Sequence, residues 1–278
     1  VATVTPQTLM LNFLGLHVLG RDIAVYSGSV IDVFRRVDVS EEAVRSTLTR
    51  MASRDLLAKH RNGRKVYFGL TERATGVLRD GERRIWQRGA VNRDWDGTWT
   101  LVGFSLPEGR RGARHDLRSR LQWAGFGPVQ NGLWIAPGTR DVTEMVADLG
   151  LAENVTVFTA QHAKPTEAAD LARRAFDTTA IAARYQDFLA RWREPDAALP
   201  DDLARQLLLH ADWLDLVRQD PHLPAELLAQ DWPAIEAEQL FQALATRYAA
   251  TAGPIAQAAI ESIDVSGRPA RAERRPAG

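Results

Sequence analysis

Between residues 40 and 70 the hydrophobic period changes from helical to alternating. Val44, Leu48, Met51 and Ala52 recur at i, i+4, i+7 and i+8, which predicts a helix with one apolar edge. Ser40 suits its N-cap, and Glu41 and Glu42 stand in the first turn, where the helix dipole favours carboxylates. Glu42, Ser46, Thr49, Arg50 and Ser53 face away from the apolar edge, with Arg45 on the flank. Residues 56–60 and 65–70 then read as strands, and Asn62-Gly63 between them is a hairpin signal. Upstream, Thr5-Pro6 opens a helix carrying Leu9, Phe13, Leu16 and Leu19. Residues 26–29 read as a break, and Val30, Ile31, Val33, Phe34 and Val37 as a short second helix. Downstream, Thr71 caps a helix running to Trp86, with Leu70, Ala74, Val77, Leu78 and Ile85 as its buried positions.

After a linker at 88–97 the pattern changes again. Strands are predicted at 98–106, 126–129, 133–136 and 155–159, and helices at 110–123 and 141–149, with Asn131-Gly132 as a turn. This βαββαβ order is that of a ferredoxin-like sandwich. From about residue 166 the chain reads as helical to Ile263. Tyr185, Phe188, Leu189 and Trp192 line one stripe, and Leu203, Leu207, Leu208, Leu209, Trp213 and Leu216 another. Leu240, Phe241, Leu244 and Tyr248 mark a long helix after Pro233. The fold class is therefore α+β and multidomain. We expect a winged helix-turn-helix at 1–90, a ferredoxin-like domain at 95–162, a helical domain at 166–263 and a disordered tail at 264–278.

Composition narrows the chemistry. The 278 residues include no cysteine, which excludes disulfides, thiol nucleophiles and cysteine-ligated metal centres. No apolar run approaches the length of a membrane span, and the apolar stretch at 9–19 lacks the preceding charge of a signal peptide, so a cytoplasmic protein is expected. Formal net charge is zero, but it is unevenly placed. Residues 1–90 hold 15 Lys/Arg against 9 Asp/Glu, a net of +6, whereas residues 178–263 hold 6 against 13, a net of −7. A basic head and an acidic rear imply that only the head meets a polyanion.

That head is where a helix with an exposed face of hydroxyls and arginine precedes a hairpin bracketed by Arg61, Arg64 and Lys65. An ordinary solvated helix face is the commoner fate of such a stripe. The wing that follows at once favours a recognition helix: Ser46, Thr49 and Arg50 toward base edges, with Arg45, Arg61, Arg64 and Lys65 on phosphates or minor groove. Catalytic signals are weak by comparison. There is no phosphate-cradling glycine loop, no Gly-x-Ser-x-Gly elbow and no His spacing suited to a metal. The neighbours His115 and Asp116 diverge on a helix, and His210 beside leucines reads as a hydrogen-bonded, half-buried histidine. Arg110, Arg111, Arg114 and Arg118 form a basic patch best read as a solvated helix face. The rival class is a metal-dependent nuclease on the central domain. The first strand of that domain ends Gly103-Phe104-Ser105-Leu106-Pro107 without a carboxylate, while Asp94 and Asp96 lie at its other end, which disfavours cleavage.

Several segments recur in a known order: Gly28-Ser29-Val30-Ile31, Glu42-Ala43-Val44-Arg45, Gly63-Arg64-Lys65-Val66-Tyr67, Leu70-Thr71-Glu72 and Trp95-Asp96-Gly97-x-Trp99. Ser105-Leu106-Pro107-Glu108, Gly125-Phe126-Gly127-Pro128, Gly132-Leu133-Trp134-Ile135, Asp220-Pro221-x-Leu223-Pro224 and Asp231-Trp232-Pro233 continue the set. Together they resemble the phenylacetic acid degradation repressor (PaaX-type) family of transcriptional regulators, across nearly the whole chain. The resemblance implies a homodimeric repressor of an aromatic-catabolism operon that binds double-stranded operator DNA and is released by an acyl-CoA effector such as phenylacetyl-CoA. It implies no cofactor or metal. The chain departs from the family at Leu214-Asp215, after Trp213, where relatives often carry basic residues, so the effector contacts stay unassigned.

Overall fold

The computed structural model describes residues 5–87, 90–195 and 198–265. It divides into two compact units, one formed by residues 1–84, 195–211 and 243–278, the other by 85–194 and 212–242. The tail beyond residue 265 and the side chain of Ile85 lie outside the described residues.

The first unit begins with α1 (Pro6–His17), whose N-cap Thr5 accepts the N–H of Thr8 and whose Pro6 fills the first position, as expected. A short strand, β1 (Ile23–Tyr26), follows, and α2 (Ser27–Arg35) starts where the sequence reads as a break. Gly28 makes this possible: a Cβ there would lie 2.3 Å from the Tyr26 ring, so the helix starts flush against the strand end only with glycine. Helix α3 (Glu41–Ser53) is capped by Ser40 Oγ on the N–H of Ala43. Strands β2 (Leu57–Asn62) and β3 (Lys65–Leu70) form the hairpin, and α4 (Glu72–Gln87) is capped by the hydroxyl of Thr71. Val77, expected to be buried on α4, is 50% exposed, because Ala74 and Leu78 already occupy the inward stripe.

This unit is completed from the other end of the chain. Helices α9 (Asp202–Gln219) and α10 (Pro233–Ala259) each give one portion to it, and β8 (Ser262–Asp264) closes its sheet. The helical reading to Ile263 is corrected here, since α10 ends at Ala259 and Ile263 pairs with Ala24 of β1. The antiparallel sheet runs β2-β3-β1-β8. Leu203, Leu207, Ala211, Ala252 and Ala256 share one core with Phe13, Phe34, Val44, Leu48 and Met51.

The second unit holds β4 (Thr98–Phe104), α5 (Arg111–Trp123), β5 (Gly127–Gln130), β6 (Leu133–Pro137), α6 (Thr143–Asp148) and β7 (Val155–Gln161). Its sheet is antiparallel throughout, in the order β5-β6-β4-β7. Val102, Trp134 and Ala136 on one face meet Leu117 and Leu121 of α5 and Val146 of α6. The Asn131-Gly132 turn forms as expected, with Gly132 at φ +79°. The described part of the linker is irregular but pinned: Ala90 N–H donates to Glu238 at 3.0 Å, and Asn92 bridges Pro224. Then come α7 (Ala168–Ala175) and α8 (Thr178–Arg193), whose Tyr185, Phe188, Leu189 and Trp192 are buried as the stripe requires. Trp213 stacks on Phe241 at 4.7 Å within the same unit. Among the described residues the chain is mixed α+β, with two antiparallel sheets.

Candidate nucleic-acid interface

Helix α3 divides cleanly into two sides. Val44, Leu48 and Met51 are buried, and so is Thr47, which the hydrophobic pattern does not single out. Arg45, Ser46, Thr49 and Arg50 are exposed and line one shallow concavity together with Glu41 and Glu42. The 3.6-residue period dictates this split: 45, 46, 49 and 50 are successive i, i+1, i+4 and i+5 positions on the side opposite 44, 48 and 51. Local bonds orient Arg45, Thr49 and Arg50. Arg45 places Nε at 2.8 Å and Nη2 at 2.7 Å from Glu41 Oε1. Thr49 Oγ1 donates to the Arg45 carbonyl, Arg50 Nη2 donates to Thr47 Oγ1, and Ser53 Oγ donates to the Arg50 carbonyl. The Thr49 and Ser53 hydroxyls spend their protons on the helix backbone and keep lone pairs free; Arg45 and Arg50 keep N–H donors that these bonds do not use.

The hairpin holds the remaining candidates. Asn62 pairs with Lys65, so the loop is Gly63-Arg64, one residue later than the Asn62-Gly63 dipeptide indicates. Gly63 adopts φ +58°, as a glycine at the first position of a two-residue hairpin loop can. Arg61 and Arg64 are exposed and have no partner among the described residues.

Lys65 is different. Its Nζ lies 2.6 and 2.8 Å from the two carboxylate oxygens of Glu261 and 4.8 Å from the centre of the Tyr26 ring. Tyr67 donates its hydroxyl to the same carboxylate at 2.6 Å. The hydrogen bond to Glu261 holds the Lys65 ammonium above its ordinary pKa, and the bonds from Lys65 and then Tyr67 hold Glu261 below its own. Glu261 is itself fixed, because its N–H donates to Ser29 Oγ and its carbonyl accepts the N–H of Tyr26. Glu261 is the residue the sequence reading missed. The isolated carboxylate carries no local signal beyond the β-branched Ile263 two positions on.

Other candidates resolve into structural roles. His210 Nδ1 lies 2.9 Å from the Gln206 carbonyl, and burial depresses its pKa to about 4. It is fully rather than half buried. Arg114 bonds the Leu106 carbonyl, Arg118 the Asn131 side chain and Arg110 the Asn154 side chain, while Arg111 pairs with Glu108. Asp96 Oδ1 accepts the N–H of Thr98, which positions the entry to β4. Among the described residues, no three His, Asp or Glu gather as metal ligands, and no helix is long and apolar enough to cross a membrane.

Comparison with known proteins places the chain in a family. The model of the PaaX-like protein family matches residues 5–74, that of the PaaX protein central Cas2-like domain 92–172, and that of the PaaX-like protein C-terminal domain 176–258. The chain is 28% identical over 252 residues to the transcriptional repressor PaaX of Escherichia coli (strain K12), covering 85% of this chain and 78% of that protein. Its fold is similar to that of the uncharacterized protein Rv0674 from Mycobacterium tuberculosis, with a TM-score of 0.63 at 23% identity, over 92% of this chain and 100% of that one. With the three models following one another along most of the chain, the protein belongs to the PaaX family, and its central domain is Cas2-like.

Proposed function

We propose that the protein is a DNA-binding transcriptional repressor of a catabolic operon, acting as a cytoplasmic homodimer. The observation that carries this is the pairing of α3, with Arg45, Ser46, Thr49 and Arg50 exposed on one face, and a hairpin that presents the unpaired Arg61 and Arg64. We read the first unit as a winged helix, with α3 in the major groove and the hairpin as the wing. In the second unit the strand order β5-β6-β4-β7 supports a ferredoxin-like layout. The repressor named as a relative supports the role, and family membership supports phenylacetic acid catabolism as its setting. The effector we propose is an acyl-CoA thioester of the phenylacetyl-CoA type.

The tests follow from the contact classes. In the operator upstream of the protein's own gene, Arg50→Ala removes a base-edge donor and costs about 1–3 kcal/mol with loss of sequence preference. Arg64→Ala weakens binding to all DNA alike and lowers the salt slope by about 0.9. Unchanged operator affinity in both variants overturns the reading. For the effector, an acyl-CoA that binds only the native state raises the melting temperature. A flat response across an acyl-CoA panel removes that part of the proposal.

A further inference from the structure

Two carboxylates stand in the first turn of α3, and only one of them has a partner. Glu41 Oε1 lies 2.7 Å from Nη2 of Arg45, so its charge is met within the helix. Glu42 is exposed and makes no hydrogen bond or ion pair among the described residues. The helical period separates the two. At about 100° per residue, Glu41 falls beside Arg45 on the flank, while Glu42 heads the stripe of Glu42, Ser46, Thr49 and Ser53. Glu42 stands one turn before Ser46, at the N-terminal end from which a recognition helix reads bases. It lines the α3 concavity together with Arg45, Ser46, Thr49 and Arg50.

A free carboxylate in that place opposes any contact that rests on charge alone. It meets phosphates with the same sign, and Glu41 already gives the helix dipole an acid in its first turn. Its chemistry limits what it can do in a major groove. When ionised it accepts hydrogen bonds and donates none. Guanine presents N7 and O6 there, and thymine presents O4, all acceptors that repel it. Adenine offers the N6 donor with the N7 acceptor beside it. Cytosine offers a donor, its N4 amino group, and no acceptor of its own.

We propose, on the reading of α3 as a recognition helix, that Glu42 determines specificity by accepting a hydrogen bond from N4 of an operator cytosine. Glu42 then lowers affinity for DNA in general and restores it where the cytosine is present. The arginines of α3 attract any sequence, and Glu42 rejects most of them.

No known operator is required to test this. The full-length protein selects duplexes from a random-sequence pool, and Glu42→Ala and Glu42→Gln, each checked for folding by circular dichroism, go through the same selection. Glu42→Ala should bind unselected duplex DNA about two- to fivefold more tightly at low salt, because a like charge is gone. At one base pair of each half-site its discrimination for cytosine should fall from about tenfold to none, with the other positions kept. Glu42→Gln should turn that position toward adenine, whose N6 and N7 suit an amide that both donates and accepts. This shift carries the test by itself if Glu42→Ala does not fold. An acid that serves only the helix dipole leaves base preference unmoved in both variants. Identical preferences in all three proteins therefore overturn the role of Glu42 and leave the repressor reading standing. A preference lost at an A·T pair overturns the assignment to cytosine. An unsubstituted chain that selects no sequence overturns the recognition-helix reading itself.

Discussion

Lys65 and Glu261 are separated by 196 positions in sequence and meet as an ion pair with Tyr67 as a third member. If the hairpin meets DNA as proposed above, a lysine in that position contributes less than its place in the hairpin suggests, because a phosphate must compete with a carboxylate already bound. Glu261→Gln removes the competitor. Nonspecific DNA affinity should then rise by up to about tenfold at low salt, and the slope of log K against log salt should steepen by about 0.9. In the unsubstituted protein Lys65→Ala should change affinity much less than Arg61→Ala or Arg64→Ala, as fluorescence anisotropy over a salt series would show. A larger loss for Lys65→Ala than for Arg64→Ala contradicts this ranking.

A second residue-scale consequence concerns protons. Burial, then Arg21 and His210, hold the His17 pKa at about 4, and burial holds His210 there as well. Unfolded histidines titrate near 6.5, so the folded state binds fewer protons between these values. Stability is therefore complete above about pH 6.5 and declines as the pH falls toward 4, by up to about 3 kcal/mol for each histidine. The midpoint of urea unfolding should fall across that window. A midpoint unchanged from pH 7 to pH 4.5 contradicts the buried, neutral state of the pair.

At the scale of elements, the parts that were legible are those whose signals are local. Ser40, Glu41 and Glu42 mark the start of α3, and the Val44, Leu48 and Met51 spacing marks its inward side. Asn131-Gly132 marks a turn whose geometry requires glycine. The two short strands β1 and β8 were not legible, because four and three residues hold no period and gain their partners only from distant chain. The loop of the β2–β3 hairpin shifted by one residue for a related reason: register is set by pairing along both strands, and the dipeptide reports only the turn. Glycines make the point measurable. Gly132 has φ +79°, and a Cβ there would lie 2.6 Å from the Phe104 carbonyl oxygen. Gly132→Ala should cost more than about 1 kcal/mol by chemical denaturation. Gly76 sits exposed on α4 with open space around its Cβ position. Gly76→Ala should stabilise by about 0.5–1 kcal/mol. Equal effects at both positions would sink the argument.

At the scale of the molecule, the charge split was readable, and its consequence was not. A basic head and an acidic rear suggest separation, yet Glu261 from the acidic region is bound to the head, where it neutralises one of the hairpin's cations. Charge counts give no positions, and only the pairing of β8 with β1 brings that carboxylate into place. The candidate site was legible as α3 and the arginines of the hairpin. Which of its cations are already occupied depends on contacts between the two ends of the chain.

The closing strand β8 also bears on how the protein is made. Domains usually fold as units in the order of their synthesis, N-terminal first. Here the sheet begun by β1, β2 and β3 receives its fourth strand, and its core receives Ala252 and Ala256, only after residues 252–264 have left the ribosome. At about 5–20 residues per second, that is a wait of roughly ten to forty seconds. During it, the edge of β1 that β8 will occupy stands open on the nascent chain. The unit that carries α3 is thus completed only after residue 264 is made, and a chain cut short before β8 carries α3 on an incomplete scaffold.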